Sequence, residues 1–118
     1  MHFPRVAAVM VYVPDPSAGL AWYGKAFPAA RRQRVEQMGF EFLELDGVRI
    51  EVVMADEKVS SGARGTVVYW QVQDFKTSLV SLQSLGAELY RGPMQIENGE
   101  TMCQVQDPWG NCLGIRGR

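Results

Sequence analysis

The stretch QDPWGNCLGIRG, residues 106–117, places a Pro-Trp-Gly-Asn turn directly before an alternating apolar strand. Asp107 can accept hydrogen bonds from the backbone amides that follow it, Pro108 fixes its own φ, and Gly110 tolerates left-handed angles. These residue types are typical of the tight turn of a β-hairpin. We interpret the turn as structural, because a hairpin with no chemistry accounts for all of its residues.

The same order of predicted elements occurs twice in the chain. The stretches VAAVMVYVPDPSAGLAWYGKAF (6–27) and GTVVYWQVQDFKTSLVSLQSLG (65–86) each begin with a strand-like run that ends in Val-x-Asp and then enter a helix. Asp15 and Asp74 are natural N-caps, because a short carboxylate accepts the free amide protons of a helix's first turn. The two signatures lie about half of the 118-residue chain apart, as an internal duplication would place them.

Strands follow each predicted helix. In the first half, FEFLELDGVRIEVV (40–53) indicates a hairpin with an Asp-Gly turn, and 28–38 is expected to hold one more strand. In the second half the strand-like stretches are AELYRG (87–92), TMCQVQ (101–106) and NCLGIR (111–116). The sequence therefore predicts an α+β fold of two tandem βαβββ modules in one domain, with approximate module bounds 1–56 and 65–118 and a polar linker at 57–64.

Alternation along the strands divides each predicted sheet into two faces. A two-residue turn at Asp46-Gly47 puts an apolar set under the first helix: Leu43, Leu45, Ile50 and Val52. The opposite face mixes aromatic and charged groups, which suits a ligand cleft better than a sealed core. We expect that face to carry Met10, Tyr12, Phe40, Phe42, Glu44, Arg49 and Glu51 in the first module, and Tyr69, Gln71, Met102, Cys112, Gly114 and Arg116 in the second.

Composition excludes several classes of function. The chain is 47% hydrophobic and 21% charged with a net charge of −1, which is typical of a folded domain, and it has no basic stretch that would follow a phosphate backbone. The apolar run 6–13 is far shorter than a membrane span, and we do not expect it to be a signal peptide. Two cysteines suggest reduced thiols in a cytoplasmic protein. We therefore expect no nucleic-acid partner and no membrane partner.

The pattern as a whole resembles the vicinal oxygen chelate superfamily. The resemblance rests on the two modules, the Val-x-Asp entry to each helix, the aromatic pair Trp22-Tyr23 and the closing Asp-Pro-x-Gly-Asn at 107–111. That superfamily includes glyoxalase I, bleomycin-resistance proteins, fosfomycin-resistance enzymes, methylmalonyl-CoA epimerase and extradiol dioxygenases. The resemblance implies a curved mixed sheet around a ligand cavity, and a homodimer.

The metal ligands of this superfamily are mostly missing. The resemblance implies one ligand on the first strand and one on the last strand of each module, at positions that fall on Ala8, Glu51, Val67 and Gly114. Of these, only Glu51 carries a donor atom, and the chain's one histidine is His2. One carboxylate does not hold a catalytic metal against water. We therefore predict no metal and no cofactor.

Glu51 has a plain and a functional interpretation. It lies near Arg49 on the same predicted face, so a solvated ion pair accounts for it. The functional interpretation is a carboxylate that anchors a hydrogen-bond donor or cation of a ligand, or that acts as a base; Glu51 is thus the one candidate catalytic residue. We do not expect a catalytic cysteine, because no histidine is available to activate a thiolate.

The function predicted from these observations is metal-free binding of a small, aromatic or apolar ligand. Aromatic and thioether side chains would supply contact area, and a few polar groups would orient the ligand. The predicted contacts are Met10, Tyr12, Phe40, Phe42, Glu51, Tyr69, Gln71, Met102 and Arg116. One alternative is a lyase or isomerase of the glyoxalase type, with Glu51 as base or as an atypical metal ligand. Another is a dimer that contacts other proteins.

Overall fold

Each half of the chain forms a four-stranded mixed sheet with one helix. The structure is a computed structural model and describes residues 6–36 and 39–118. By its contacts the chain divides into two units, unit 1 (Met1–Ser60) and unit 2 (Ser61–Arg118). His2 lies outside the described residues.

Unit 1 follows the order strand, helix, strand, strand, strand. Its elements are β1 (Ala8–Val13), α1 (Pro16–Ala26), β2 (Arg31–Val35), β3 (Phe40–Leu45) and β4 (Val48–Met54). The sheet order is β1-β4-β3-β2, in which β1 runs parallel to β4 and the other neighbours are antiparallel. The further strand expected within 28–38 is confirmed as β2.

Unit 2 repeats this topology. Its elements are β5 (Val68–Gln71), α2 (Phe75–Ser84), β6 (Glu88–Gln95), a short 3-10 turn (Glu97–Gly99), β7 (Thr101–Gln106) and β8 (Cys112–Gly117). The sheet order β5-β8-β7-β6, with β5 parallel to β8, matches that of unit 1. The prediction of two βαβββ modules in an α+β fold is confirmed.

The predicted helix caps are confirmed. The Asp15 carboxylate accepts from the backbone amides of Ser17 and Ala18 at 3.1 and 3.4 Å. Asp74 does the same for α2, where Thr77 N donates at 3.0 Å. These bonds satisfy amides that have no partner inside the helix. They explain why both helices begin directly after Val-x-Asp.

The Asp46-Gly47 turn sets the register of the β3–β4 hairpin. Asp46 and Gly47 have φ of 54° and 80°, the pair of positive angles that a two-residue hairpin turn of type I′ needs. Leu45 therefore pairs with Val48, and the pair two positions along joins Leu43 to Ile50. Both pairings are as predicted.

The core of unit 1 lies between α1 and one face of its sheet. Val13, Leu43, Ile50 and Val52 are buried on that face. Helix α1 approaches so closely at Gly19 that a Cβ there would lie 2.7 Å from Val52 Cγ1 and 2.9 Å from Val13 Cγ2. On the helix, Leu20, Trp22 and Tyr23 are also buried, so the aromatic pair Trp22-Tyr23 belongs to the core.

The core of unit 2 has the same arrangement around its central strands. Val105 and Ile115 are fully buried, and Cys103, Leu113, Phe75 and Leu82 are nearly so. The predicted placement of Leu113 and Ile115 on the helix side of the last strand is thus confirmed. Among the helices in the described part of the chain, none is long and apolar enough to span a membrane.

Candidate functional site

The candidate site residues lie on the sheet faces turned away from the helices. We call this face the open face of each unit. Residues paired across parallel or antiparallel strands point to the same side, so the registers of the strands define three rows of side chains across each sheet.

The open face of unit 1 grades from charged to apolar. The first row is charged and consists of Ala8, Arg49, Glu44 and Arg31; the middle row is Met10, Glu51, Phe42 and Gln33; the third row is apolar and consists of Tyr12, Val53, Phe40 and Val35. Such a surface can hold an apolar ring at one end and a polar substituent at the other.

The aromatic part of this face is ordered by contacts among its own side chains. The rings of Phe40 and Phe42 stack at a centroid distance of 6.0 Å and an interplanar angle of 26°. The guanidinium carbon of Arg49 lies 3.9 Å from the centroid of the Phe42 ring, a cation–π contact that covers one face of that ring. Met10 lies on the same face but on β1, across β4 from these rings; it is 49% exposed, and it accepts a weak hydrogen bond from the Tyr12 hydroxyl at 3.8 Å. Met10 is therefore the accessible apolar part of the surface.

Charged pairs order the first row. Arg31 Nη2 lies 3.2 Å from Glu44 Oε1, and the backbone amide of Gly47 donates to Glu44 Oε2 at 2.9 Å. The Gly47 amide and, after it, the Arg31 side chain hold the pKa of Glu44 below its usual value. Glu44 therefore stays ionised and fixes the hairpin turn.

Glu51 lies on the open face with a partner. Its side chain is 17% exposed, and its Oε2 is 3.5 Å from Arg49 Nη1. The ion pair expected in the plain interpretation is thus present. The carboxylate also lies in the middle row, between Met10 and Phe42, where it could receive a hydrogen bond from a ligand.

On the open face of unit 2, an aromatic ring occupies the position that the resemblance assigns to a metal ligand. Gly114 pairs with Tyr69, as Glu51 pairs with Met10 in unit 1. A Cβ on Gly114 would lie 2.5 Å from Cδ2 and 2.7 Å from Cζ of Tyr69. The ring therefore lies across the bare backbone of Gly114, and any side chain at that position would displace it.

The Tyr69 hydroxyl is part of a short hydrogen-bond chain. Gln104 Nε2 donates to the Tyr69 oxygen at 2.9 Å. Gln104 Oε1 in turn accepts from Cys112 Sγ at 3.3 Å. All three side chains belong to the open face, and the sequence patterns did not predict their connection.

The other polar residues predicted for this face are held by two glutamates. Gln71 Nε2 donates to Glu100 Oε2 at 2.8 Å, and Arg116 Nε donates to Glu100 Oε1 at 3.0 Å. Arg116 Nη2 also donates to Glu97 Oε2 at 2.9 Å. The structure thus brings Gln71 and Arg116 together, with Met102 beside Arg116 on β7. The glutamates were missed because they lie in a short irregular turn without a periodic pattern.

These glutamates make the stability of the fold depend on pH. Hydrogen bonds from Gln71 and Arg116 lower the pKa of Glu100, and the Arg116 bond lowers the pKa of Glu97. A carboxyl whose pKa is lower in the folded state stabilises the fold above its ordinary pKa of 4.5, and that contribution is lost as the pH falls through the folded-state value.

We expect Glu100→Gln to reduce the fall in unfolding free energy as the pH drops below 4.5, the ordinary pKa of this carboxyl. Urea unfolding at a series of pH values, followed by tryptophan fluorescence, measures this slope. The matched control is Glu57→Gln, an exposed glutamate outside the strands, which should leave the slope unchanged. Equal slopes for the wild-type protein and Glu100→Gln would contradict the assignment.

The cysteines are free and lie on opposite sides of the unit 2 sheet. Cys103 is buried on the helix side, and its burial raises the pKa of the thiol to about 11. Burial and the charge of Asp107 raise the pKa of Cys112 as well. Both therefore carry protonated thiols near neutral pH, which argues against a nucleophilic cysteine.

The residues do not fit the metal that the superfamily uses. Ala8 and Val67 have no donor atom, and the Tyr69 ring fills the space at Gly114. Within residues 6–36 and 39–118, no group of three or more His, Cys, Asp or Glu side chains is placed to hold a metal ion. Glu51 alone has the right chemistry among the four positions.

Two repeated β-α-β-β-β units, each with an open sheet face, define the class of vicinal oxygen chelate folds. The family model of the Glyoxalase/Bleomycin resistance protein/Dioxygenase superfamily matches residues 5–115. The chain belongs to this superfamily. No curated protein gives a significant match to the sequence.

Solved structures share the fold at low sequence identity. A glyoxalase-related enzyme from Fulvimarina pelagi is 19% identical with a TM-score of 0.77, covering 98% of this chain and 89% of that one. A fosfomycin resistance protein from Listeria monocytogenes is 13% identical with a TM-score of 0.77, covering 99% and 95%. A glyoxalase/bleomycin resistance protein/dioxygenase family enzyme from Burkholderia phytofirmans is 16% identical with a TM-score of 0.69, covering 94% and 96%.

Proposed function

We propose that this protein binds a small aromatic or apolar ligand on the open face of unit 1 without using a metal ion. The observation that carries the proposal is the half-exposed Met10 on the sheet face that also carries the stacked rings of Phe40 and Phe42, with β4 between them. Covering an exposed apolar side chain with a ligand is favourable, because it removes apolar surface from water. Phe42 is itself buried at 7% exposure, and its stacking on Phe40 and contact with Arg49 hold this part of the face in place, so little ordering is needed on binding.

Polar groups next to this apolar surface would orient the ligand. From the residues that the structure describes, Glu51 accepts one long contact, from Arg49 at 3.5 Å, and an ionised carboxylate has capacity for further donors. We propose that Glu51 accepts a hydrogen bond from the ligand, and that Tyr12 contacts its apolar end. The open face of unit 2, taken by itself, offers its own proposed ligand contacts: Tyr69, Gln71, Met102 and Arg116.

A catalytic alternative rests on Glu51 as well. Two of the similar structures are described as enzymes, and Glu51 is a partly buried carboxylate on an open face. In this alternative Glu51 would act as a base on a bound substrate. Stoichiometric metal in the purified protein, together with metal-dependent turnover, would favour this alternative over metal-free binding.

A fluorescent apolar probe tests the binding proposal. N-phenyl-1-naphthylamine is neutral and fluoresces more strongly in apolar surroundings. We expect saturable binding, weakened at least about fivefold by Met10→Glu, because the probe would then cover an unpaired carboxylate.

The matched control is Met54→Glu. Met54 is 63% exposed but alternates to the helix side of β4, so this change adds the same charge to the other face of the sheet. We expect it to change the affinity less than twofold. Thermal unfolding checks that both variants remain folded. Absence of saturable binding, or equal losses in the two variants, would contradict the proposal.

A further inference from the structure

The hydrogen-bond chain on the open face of unit 2 has a direction. Cys112 keeps its proton near neutral pH, because burial and the charge of Asp107 raise the pKa of the thiol. A thiol with a proton can donate to an amide oxygen, and Cys112 Sγ lies 3.3 Å from Gln104 Oε1. With its oxygen occupied in this way, Gln104 presents its NH₂ group to Tyr69.

The direction of these hydrogen bonds leaves the hydroxyl hydrogen of Tyr69 available as a donor. Gln104 Nε2 donates to the Tyr69 oxygen at 2.9 Å, so the hydroxyl acts there as an acceptor. Its own hydrogen has no acceptor among the residues that the structure describes. A hydroxyl that is already an acceptor is a stronger donor, since successive hydrogen bonds polarise one another.

The other polar side chains near Tyr69 on this face are already paired with one another. Glu97 and Glu100 already accept hydrogen bonds from the neighbouring polar side chains, Gln71 and Arg116. Below the ring lies Gly114, whose lack of a side chain allows the ring to take this position. Because the ring packs on backbone and its oxygen is held by Gln104, the position of the hydroxyl oxygen is fixed.

We propose that the open face of unit 2 also binds a ligand, and that the Tyr69 O–H group there donates a hydrogen bond to an acceptor oxygen of that ligand and thereby selects ligands that carry a carbonyl or comparable oxygen. This inference rests on the ligand-binding function proposed above and assigns to one atom a role in specificity. Gln104 and Cys112 are positioning residues: they set the direction in which Tyr69 donates.

A pair of naphthalene probes tests the proposal. The probe 6-propionyl-2-(dimethylamino)naphthalene carries a carbonyl acceptor, and its emission shifts to longer wavelength when that carbonyl receives a hydrogen bond. N-phenyl-1-naphthylamine has no such oxygen. For Tyr69→Phe we expect the carbonyl probe to bind about three- to tenfold more weakly and its bound emission to shift to shorter wavelength. The probe without a carbonyl should bind as it does to the wild-type protein.

A second, independent variant reverses the direction of the hydrogen bond between Gln104 and Tyr69. In Gln104→Glu the carboxylate only accepts, so the Tyr69 hydroxyl would donate to it and be lost to the ligand. We expect the same weakening and the same spectral shift as for Tyr69→Phe. The control Gln106→Glu adds the same charge two residues away on the same face of β7 and should have neither effect. The control Tyr90→Phe removes an exposed hydroxyl on β6 and should also have none.

The outcomes separate this inference from the proposed function. If both probes bind saturably but Tyr69→Phe changes neither affinity nor emission, the role of Tyr69 is wrong and the binding function stands. If neither probe binds, the binding function itself fails. Equal weakening of both probes by Tyr69→Phe would show a packing role for the ring and would overturn the donor assignment.

Discussion

Gly117→Ala should lower the free energy of unfolding by about 3 kcal/mol, because a new methyl group would meet backbone that cannot move aside. A Cβ on Gly117 would lie 3.0 Å from Val72 Cγ2 and 3.1 Å from the Val72 carbonyl carbon, with the carbonyl oxygen closer still. The amide of Val72 donates to the Arg116 carbonyl at 2.9 Å, so the clash can be relieved only by separating β8 from the segment that leads into α2. Urea unfolding followed by tryptophan fluorescence measures the loss.

Gly114→Ala is the matched control on the same strand. Its Cβ would also meet close neighbours, but these belong to the side chain of Tyr69, which can rotate away at the cost of its bond to Gln104. We expect Gly114→Ala to lower the free energy of unfolding by about 1 kcal/mol. In a protein that already carries Tyr69→Ala, the same change should lower it by less. A Gly114→Ala variant as unstable as Gly117→Ala would contradict the distinction between backbone and side-chain neighbours.

The topology could be predicted because local signals agree with one another in both halves of the chain. Asp15 and Asp74 mark helix starts through a short-range hydrogen bond, and Asp46-Gly47 sets a register through backbone angles alone. Once the register is set, the two-residue period of a strand assigns every side chain to a face. This is why the open-face residues of both sheets were assigned correctly from the sequence.

The end of β6 was predicted wrongly for an identifiable reason. The expected strand stopped at Gly92, since Gly and Pro usually interrupt strands. In the structure β6 continues to Gln95 past Pro93, because it is an edge strand whose pairing with β7 shifts register twice. An edge strand needs hydrogen bonds on one side only, so it tolerates both residues.

The site was predicted less completely than the fold. Alternation placed Gln71 and Arg116 on the open face but could not show that Glu100 binds both of them, since Glu100 follows a short irregular turn. Nor could it show that the Tyr69 ring lies over Gly114, because that depends on a side-chain rotamer. Patterns of residue type determine faces, whereas contacts between side chains depend on the three-dimensional arrangement of several elements.

Asp107→Ala should be about as damaging as Gly117→Ala, for a different reason. Asp107 is only 4% exposed, and its Oδ1 accepts from the backbone amides of Trp109 and Asn111 at 2.9 Å each. Alanine would leave both amides without this acceptor in a partly buried turn. Since a lost bond to a charged group is worth roughly 1.5–3 kcal/mol and a buried unsatisfied donor costs a further penalty, we expect a loss of about 3 kcal/mol in urea unfolding.

Asp107→Asn separates the hydrogen bonds of this turn from its charge. The asparagine carbonyl can accept from the same two amides, so the turn between β7 and β8 should persist and the loss should be only about 1 kcal/mol. The backbone bonds of the turn, from the Asp107 amide to the Asn111 carbonyl at 2.8 Å and from Gly110 N to the Asp107 carbonyl at 3.0 Å, are the same in both variants. Equal losses for Asn and Ala would mean that the negative charge, rather than the acceptor geometry, holds the turn, and would contradict the role assigned to the two hydrogen bonds of Asp107 Oδ1.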